Sequence, residues 1–169
     1  MAKFVPDLIA DNYKKNILSG KLTASVLFSD ISGFTAAAEI LSSRGKEGSE
    51  ILSEIIRTLF ETTSDIITKR GGFITKYIGD AFIAVFPDEK DKEGRRNSFI
   101  NAVSAALDLK DYFSSGGLLT TRAGKLHFGI KSSVSKGICD WEIIGKEGYR
   151  TYYFSGEPVE SATGYEKYL

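Results

Sequence analysis

Two carboxylates carry most of the chemistry this sequence can offer. Asp30 follows the apolar run LTASVLF and opens the turn DISGFT, while Asp80 sits with Gly79 between two further apolar runs, FITKYI and AFIAVF. If those strands are neighbours, an acid at a strand end and an acid at a hairpin tip converge on one sheet edge. Hard divalent cations take such oxygen ligands. Two ions a few ångströms apart can clamp both the attacking and the leaving oxygen of a phosphoryl displacement. The residues after Asp30 add a second component, because small side chains ahead of a helix N-terminus aim backbone N–H groups at phosphate oxygens. Taken singly, each acid reads more simply as a turn residue or helix cap, since Asp beside Gly is ordinary turn chemistry. Neither a G-x-x-x-x-G-K-[ST] loop nor G-x-G-x-x-G is present.

The remaining candidates point to packing. His127, the single histidine, is expected to serve structure on one face of a strand in KLHFGI rather than to contact phosphate. Lys146 and Arg150 lie on the turn GKEGYR and have the reach for a phosphate, but exposed turn charges are usually only solvated. Cys139 and Trp141 in CDWEII read as packing residues. Leu118 and Leu119 are apolar for the loop GGLLTTRAG, suited to capping a core or meeting a partner.

These residues need a scaffold, and the hydrophobic pattern outlines one. Residues 1–20 read as a short helical lead-in ending at Gly20, followed by a buried strand over Leu22–Phe28. Residues 35–43 suit a short helix, broken by Gly45 and Gly48. Ser49 is placed to cap a long helix whose apolar face runs through Ile51, Leu52, Ile55, Ile56, Leu59, Phe60, Thr63, Ile66 and Ile67. The Gly79-Asp80 hairpin comes next, then the mixed-charge stretch DEKDKEGRR at 88–96, which reads as a solvated loop. Phe99, Ile100, Val103, Ala106, Leu107 and Phe113 mark a further helix ended by Gly116-Gly117. Residues 125–155 hold two or three strands (KLHFGIKSSV, GICDWEII, RTYYFS), and 157–166 start a last helix. This order implies one α+β sandwich domain, its helices covering one face of an antiparallel-rich sheet.

Composition narrows the function classes. At 169 residues and 42% hydrophobic, the chain has the size of one domain that can bury a core without disulfide or metal staples. Its 22 basic and 22 acidic residues balance, so there is no electrostatic footprint for nucleic acid. No apolar run approaches the roughly 20 residues of a membrane span. One cysteine and no basic-then-apolar start lead to the expectation of a cytoplasmic protein. The final GYEKYL lacks a capping signal, so a longer parent chain is expected.

The segments VLFSDISGFT and GGFITKYIGDAFIAVF, in this order and with helices between them, closely resemble the catalytic domain of the class III nucleotidyl cyclases, the soluble adenylyl cyclase type above all. The early FVP segment fits as well, and the likeness runs over about residues 4–164. It implies a βααββαβ core of ferredoxin-like or palm type, with residues 1–20 as lead-in and 21–169 as the cyclase domain, cut short at its C-terminus. By that resemblance Asp30 and Asp80, with the Ile31 carbonyl, would hold two Mg2+ or Mn2+ ions. The amides of Gly33, Phe34 and Thr35 would hold the triphosphate of ATP, or of GTP. The reaction implied is attack of the ribose 3′ hydroxyl on the α-phosphate with release of pyrophosphate.

Class III sites form between two catalytic domains, and here the resemblance divides. Lys76 matches the family's base-reading lysine, but the closing motif G-x-x-V-N-x-A-A-R corresponds to GEPVESATG, with Glu160 at the Asn position and Gly164 at the Arg position. Tyr153 stands where the selectivity Asp or Thr belongs. An arginine facing developing phosphate charge is worth orders of magnitude in rate, and a carboxylate there repels the triphosphate. The chain therefore resembles a first-half domain that gives its metal acids to a partner domain, leaving Lys76, Tyr153, Glu160 and Gly164 to a second, degenerate pocket. Bicarbonate control of that pocket, known in soluble cyclases, is not expected, because Gly164 removes an anion anchor. Two alternatives stand beside this expectation. One is a catalytically inactive regulatory relative. The other is a palm domain that makes cyclic dinucleotides, whose double-Gly Asp-Glu-Phe signature is missing.

Overall fold

The computed structural model describes residues 5–88, 97–116, 118–121 and 124–164. In chain order the elements are α1 (Asp7–Lys14), β1 (Ser19–Ser32), α2 (Phe34–Ser42), α3 (Gly45–Lys69), β2 (Phe73–Ile78), β3 (Ala81–Pro87), α4 (Ser98–Gly116), β4 (Leu118–Thr121), β5 (Gly124–His127), β6 (Gly129–Lys146), β7 (Tyr149–Ser155) and α5 (Glu157–Gly164). Five strands form one antiparallel sheet in the order β2-β3-β1-β6-β7, and β4 pairs with β5 in a separate hairpin. Leaving β7 aside, the order matches the ferredoxin-like expectation.

The central strand explains why the sheet forms. Residues 24–29 of β1 are all buried, because each face of the strand meets a different layer. Leu27 and Ile31 join Phe82, Ala84 and Phe86 of β3 beneath α2, α3 and α4. Ala24, Val26 and Phe28 join Ile83 and Val85 on the opposite face, beneath Ala162 of α5. A strand covered on both faces reads as a continuous apolar run, which is the pattern LTASVLF shows. The α3 stripe of Ile51, Ile55, Leu59, Thr63 and Ile67 is buried as its spacing predicts. Thr63 is tolerated there because its hydroxyl donates to the Leu59 carbonyl at 2.8 Å.

Several boundaries differ from the sequence reading. The lead-in helix stops at Lys14, and Gly20 belongs to β1, where an added Cβ would lie 2.8 Å from the Trp141 ring. Helix α3 begins at Gly45 rather than after Ser49, so the two glycines read as breakers sit inside its first turn. Leu118 and Leu119 lie in β4, opposite His127 and Leu126, instead of in a loop. KLHFGIKSSV and GICDWEII are not two strands: β6 runs unbroken from Gly129 to Lys146, and the break comes earlier, at Phe128. Helices also cover both sheet faces, where the reading placed them on one. Helix α1 packs Ile9 against Trp141 and Ile143 on the α5 side. Gly137 permits the close seat of α5, since a Cβ there would lie 2.8 Å from Pro158 Cγ. Residues 89–96 of the charged stretch lie outside the described residues.

Candidate active site

The β1–β3 ladder brings the two acids together. Asp30 pairs with Ala81, and the ladder extends one bond further, the Ile31 N–H donating to the Asp80 carbonyl at 3.1 Å. Asp80 is presented at a two-residue turn whose first position, Gly79, has φ of 64°, a left-handed conformation suited to tight hairpins. The Thr35 hydroxyl reaches back from α2 and donates to Asp80 Oδ2 at 3.1 Å. Sheet, hairpin turn and helix thus meet at one point.

The turn between β1 and α2 is built for close approach. Gly33 holds φ at 91°, and a Cβ on it would lie 3.0 Å from the His127 carbonyl oxygen. It stands at the N-cap of α2 and provides no side-chain cap, so the first-turn N–H groups point from the helix end with the positive end of its dipole. Ile31, 2% exposed, anchors the turn in the core, and the Phe34 ring packs 6.5 Å from that of Phe128.

The donor chemistry fits a pair of hard cations. Among the described residues no group of three or more His, Cys, Asp or Glu side chains could hold a metal by themselves. Magnesium does not need one, because it commonly binds through one or two carboxylates and fills its remaining positions with water and substrate phosphate. Asp30 and Asp80 supply that minimum beside the uncapped N-terminus of α2.

Of the residues assigned to a second pocket, Tyr153 faces away from Lys76. Lys76 is exposed on β2 opposite Ile83, hence on the α5 side of the sheet. Tyr153 is on β7, the other outer strand, opposite Glu142. It alternates with Phe154, which packs into the α5-side core, so Tyr153 faces the other way. Its hydroxyl donates to the Glu142 carboxylate, and that bond holds the phenol above its ordinary pKa. Glu160 and Gly164 are exposed on α5, whose seat is fixed by the Ser133 hydroxyl donating to the Ala162 carbonyl at 2.6 Å.

His127 is exposed with its backbone against Gly33, so it borders the site instead of filling a core. Arg150 lies 5.2 Å over the Tyr13 ring at the far end of the β6–β7 hairpin. Asp30 pairs with Lys131, fifteen residues up β6 from Lys146, a distance of roughly 50 Å at 3.3 Å per residue. Neither Lys146 nor Arg150 serves the Asp30 site of its own chain. Cys139 and Trp141 are core residues as expected, and burial, reinforced by Asp140 and Glu157, pushes the Cys139 thiol up to about 11. Lys131 escaped the sequence reading, because only strand register shows that it faces Asp30.

The model of the adenylate and guanylate cyclase catalytic domain family matches residues 19–166. The chain belongs to this family. The cyclase domain is 30% identical, over 99% of its length, to the terminal-differentiation specific adenylate cyclase of Dictyostelium discoideum, and spans 8% of that much longer protein. Among solved structures, a bacterial light-regulated adenylyl cyclase superposes with a TM-score of 0.74 at 20% identity, covering 98% of this chain and 47% of that one. The adenylyl cyclase CyaB of P. aeruginosa gives 0.68 at 23%, covering 89% and 74%. The guanylate cyclase domain of RhGC from Catenaria anguillulae, solved with GTP, gives 0.66 at 22%, covering 88% and 74%. These likenesses support the fold. Among the described residues of the cyclase domain, no helix is long and apolar enough to cross a membrane.

Proposed function

We propose that this domain is the metal-donating half of an adenylyl cyclase site, converting ATP to cyclic AMP and pyrophosphate with a second catalytic domain. The observation that carries the reading is the meeting of Asp30 and Asp80 at one sheet end, directly ahead of the open N-terminus of α2. In this reading Asp30, Asp80 and the Ile31 carbonyl hold two Mg2+ or Mn2+ ions. When bound, these supply the positive charge that acidifies the ribose 3′ hydroxyl and neutralises the leaving pyrophosphate. The amides of Gly33, Phe34 and Thr35 hold the triphosphate so that its α-phosphorus faces the hydroxyl. The 3′ oxygen bonds to that phosphorus, the bond to the bridging oxygen of the β-phosphate breaks, and the hydroxyl proton is released. Lys76, by its resemblance to the adenine-reading lysine, marks the adenylyl type, while the choice of base in the shared site falls mostly to the partner domain.

The partner domain supplies the Asn and Arg that Glu160 and Gly164 replace here. A homodimer of this chain would face the triphosphate with a carboxylate and no arginine, which opposes the charge development that these sites stabilise.

The test is cyclic AMP and cyclic GMP formation with Mn2+ and ATP or GTP, by the chain alone and mixed with an Asn- and Arg-bearing cyclase domain. Background turnover alone and cyclic AMP from the mixture, reduced about a hundredfold or more by Asp30→Ala, are expected. Product from the chain alone that Asp30→Ala abolishes would make the homodimer a working cyclase and end the half-site reading. No product from any mixture would favour the second reading, a regulatory domain that binds nucleotide or dimerises without turnover, which the Glu160 and Gly164 replacements would also suit.

A further inference from the structure

Directly opposite Asp30 in the β1–β6 ladder stands Lys131. Such partners lie on the same face of the sheet with Cβ atoms about 5 Å apart, within easy reach of a lysine side chain. Their alignment is firmly set. One step along, Ser29 and Ser132 join hydroxyls at 2.8 Å, and Gly129 approaches Ser32 so closely that a Cβ would lie 2.6 Å from its Oγ. A slip of one residue would break both arrangements and turn Lys131 to the other face. The same ladder contains a second opposed pair, Lys21 and Asp140, which closes as an ion pair at 2.9 Å. The two site acids therefore have unlike neighbours: Asp80 takes a neutral hydroxyl from Thr35, and Asp30 has a cation across the strand.

We infer that Lys131 is a tethered counter-cation of the site, a positioning residue that neutralises Asp30 in the metal-free domain and competes with divalent cations for its carboxylate. The inference rests on the reading of Asp30 and Asp80 as metal ligands. A cation entering on the Asp30 side must displace or share with the ammonium and then remain close to a like charge, which weakens its binding. The arriving polyphosphate gives the displaced ammonium a new anionic partner, so nucleotide relieves the competition.

The experiment is Mn2+ binding to the full chain without nucleotide, read from the electron paramagnetic resonance signal of free Mn2+, for wild type, Lys131→Met, Lys131→Arg and Asp30→Asn, with thermal melts alongside. Lys131→Met is expected to bind Mn2+ about three- to tenfold more tightly, the range for relief of a partly solvated charge repulsion. Lys131→Arg, which keeps the charge, is expected to retain the wild-type value. A lysine that merely packs would lower the melting temperature of the Met variant and leave Mn2+ affinity unimproved, and that result overturns the inference. Equal or weaker binding by Lys131→Met, with Asp30→Asn clearly impaired, overturns the counter-cation and spares the metal reading. Asp30→Asn binding Mn2+ as wild type does would overturn both.

Discussion

At the residue scale the candidate site is set by a few positions whose side chain or backbone conformation is specific. Asp30 and Asp80 stood out because acids interrupt apolar strands there, and the backbone bond from Ile31 to Asp80 explains how the sheet joins them. Gly33 matters for its conformation: at φ of 91° an L side chain is strained, and a Cβ would press the His127 carbonyl at 3.0 Å. Gly33→Ala is expected to lower stability by about 1–2 kcal/mol, measured by urea denaturation. An unchanged midpoint would mean that the turn relaxes freely. Lys131 was illegible at this scale, since nothing in KSS indicates a partner a hundred residues earlier.

At the element scale, tertiary packing overrules local signals. Gly45 and Gly48 are helix breakers by propensity, yet both lie in the first turn of α3. Gly48 is there because α2 ends against it: a Cβ would lie 1.7 Å from the Leu41 carbonyl oxygen, well inside contact distance. Only glycine lets the two helices turn so sharply. Gly48→Ala is expected to cost about 3 kcal/mol, because the backbone of one helix must move, and to lower the denaturation midpoint more than Gly33→Ala does. Comparable midpoints would show that the junction yields. The β6 strand teaches a related lesson. Its serines and Gly137 weaken its strand signal, but pairing with β1 through fourteen register positions makes it continuous.

At the scale of the whole molecule, Asp88 ties distant elements together. Its Oδ1 accepts from the Ser98 hydroxyl at 2.6 Å at the start of α4, its Oδ2 accepts from Lys136 of β6 at 3.0 Å, and its N–H donates to the Thr23 carbonyl of β1. Ser98 in turn meets Ser25 of β1 at 3.1 Å. The Ser98 hydroxyl, aided by Lys136, holds the Asp88 carboxyl below the ordinary carboxylate range. A depressed folded-state pKa contributes stability that is complete above the unfolded value and is lost as pH falls through the folded one. Asp88→Asn is therefore expected to destabilise the domain by about 1–2 kcal/mol at pH 7, with the difference from wild type shrinking below about pH 4. A gap that stays constant between pH 7 and pH 3 would exclude the ionic contribution.

The sequence by itself determined the fold class, the order of the main helices and strands, and the two acids with their glycine turn. These follow from hydrophobic period and turn chemistry, which are local. The family, too, was legible from two short segments. Tertiary structure decided what lies opposite what: Lys131 across from Asp30, Lys76 and Tyr153 on different faces and different outer strands, and Arg150 far from the acids. It also placed α1 and α5 on the second face of the sheet. The physical reason is register. A strand's pattern says which residues alternate, but its alignment with a neighbour is set by long-range pairing, and a shift of one residue exchanges the faces.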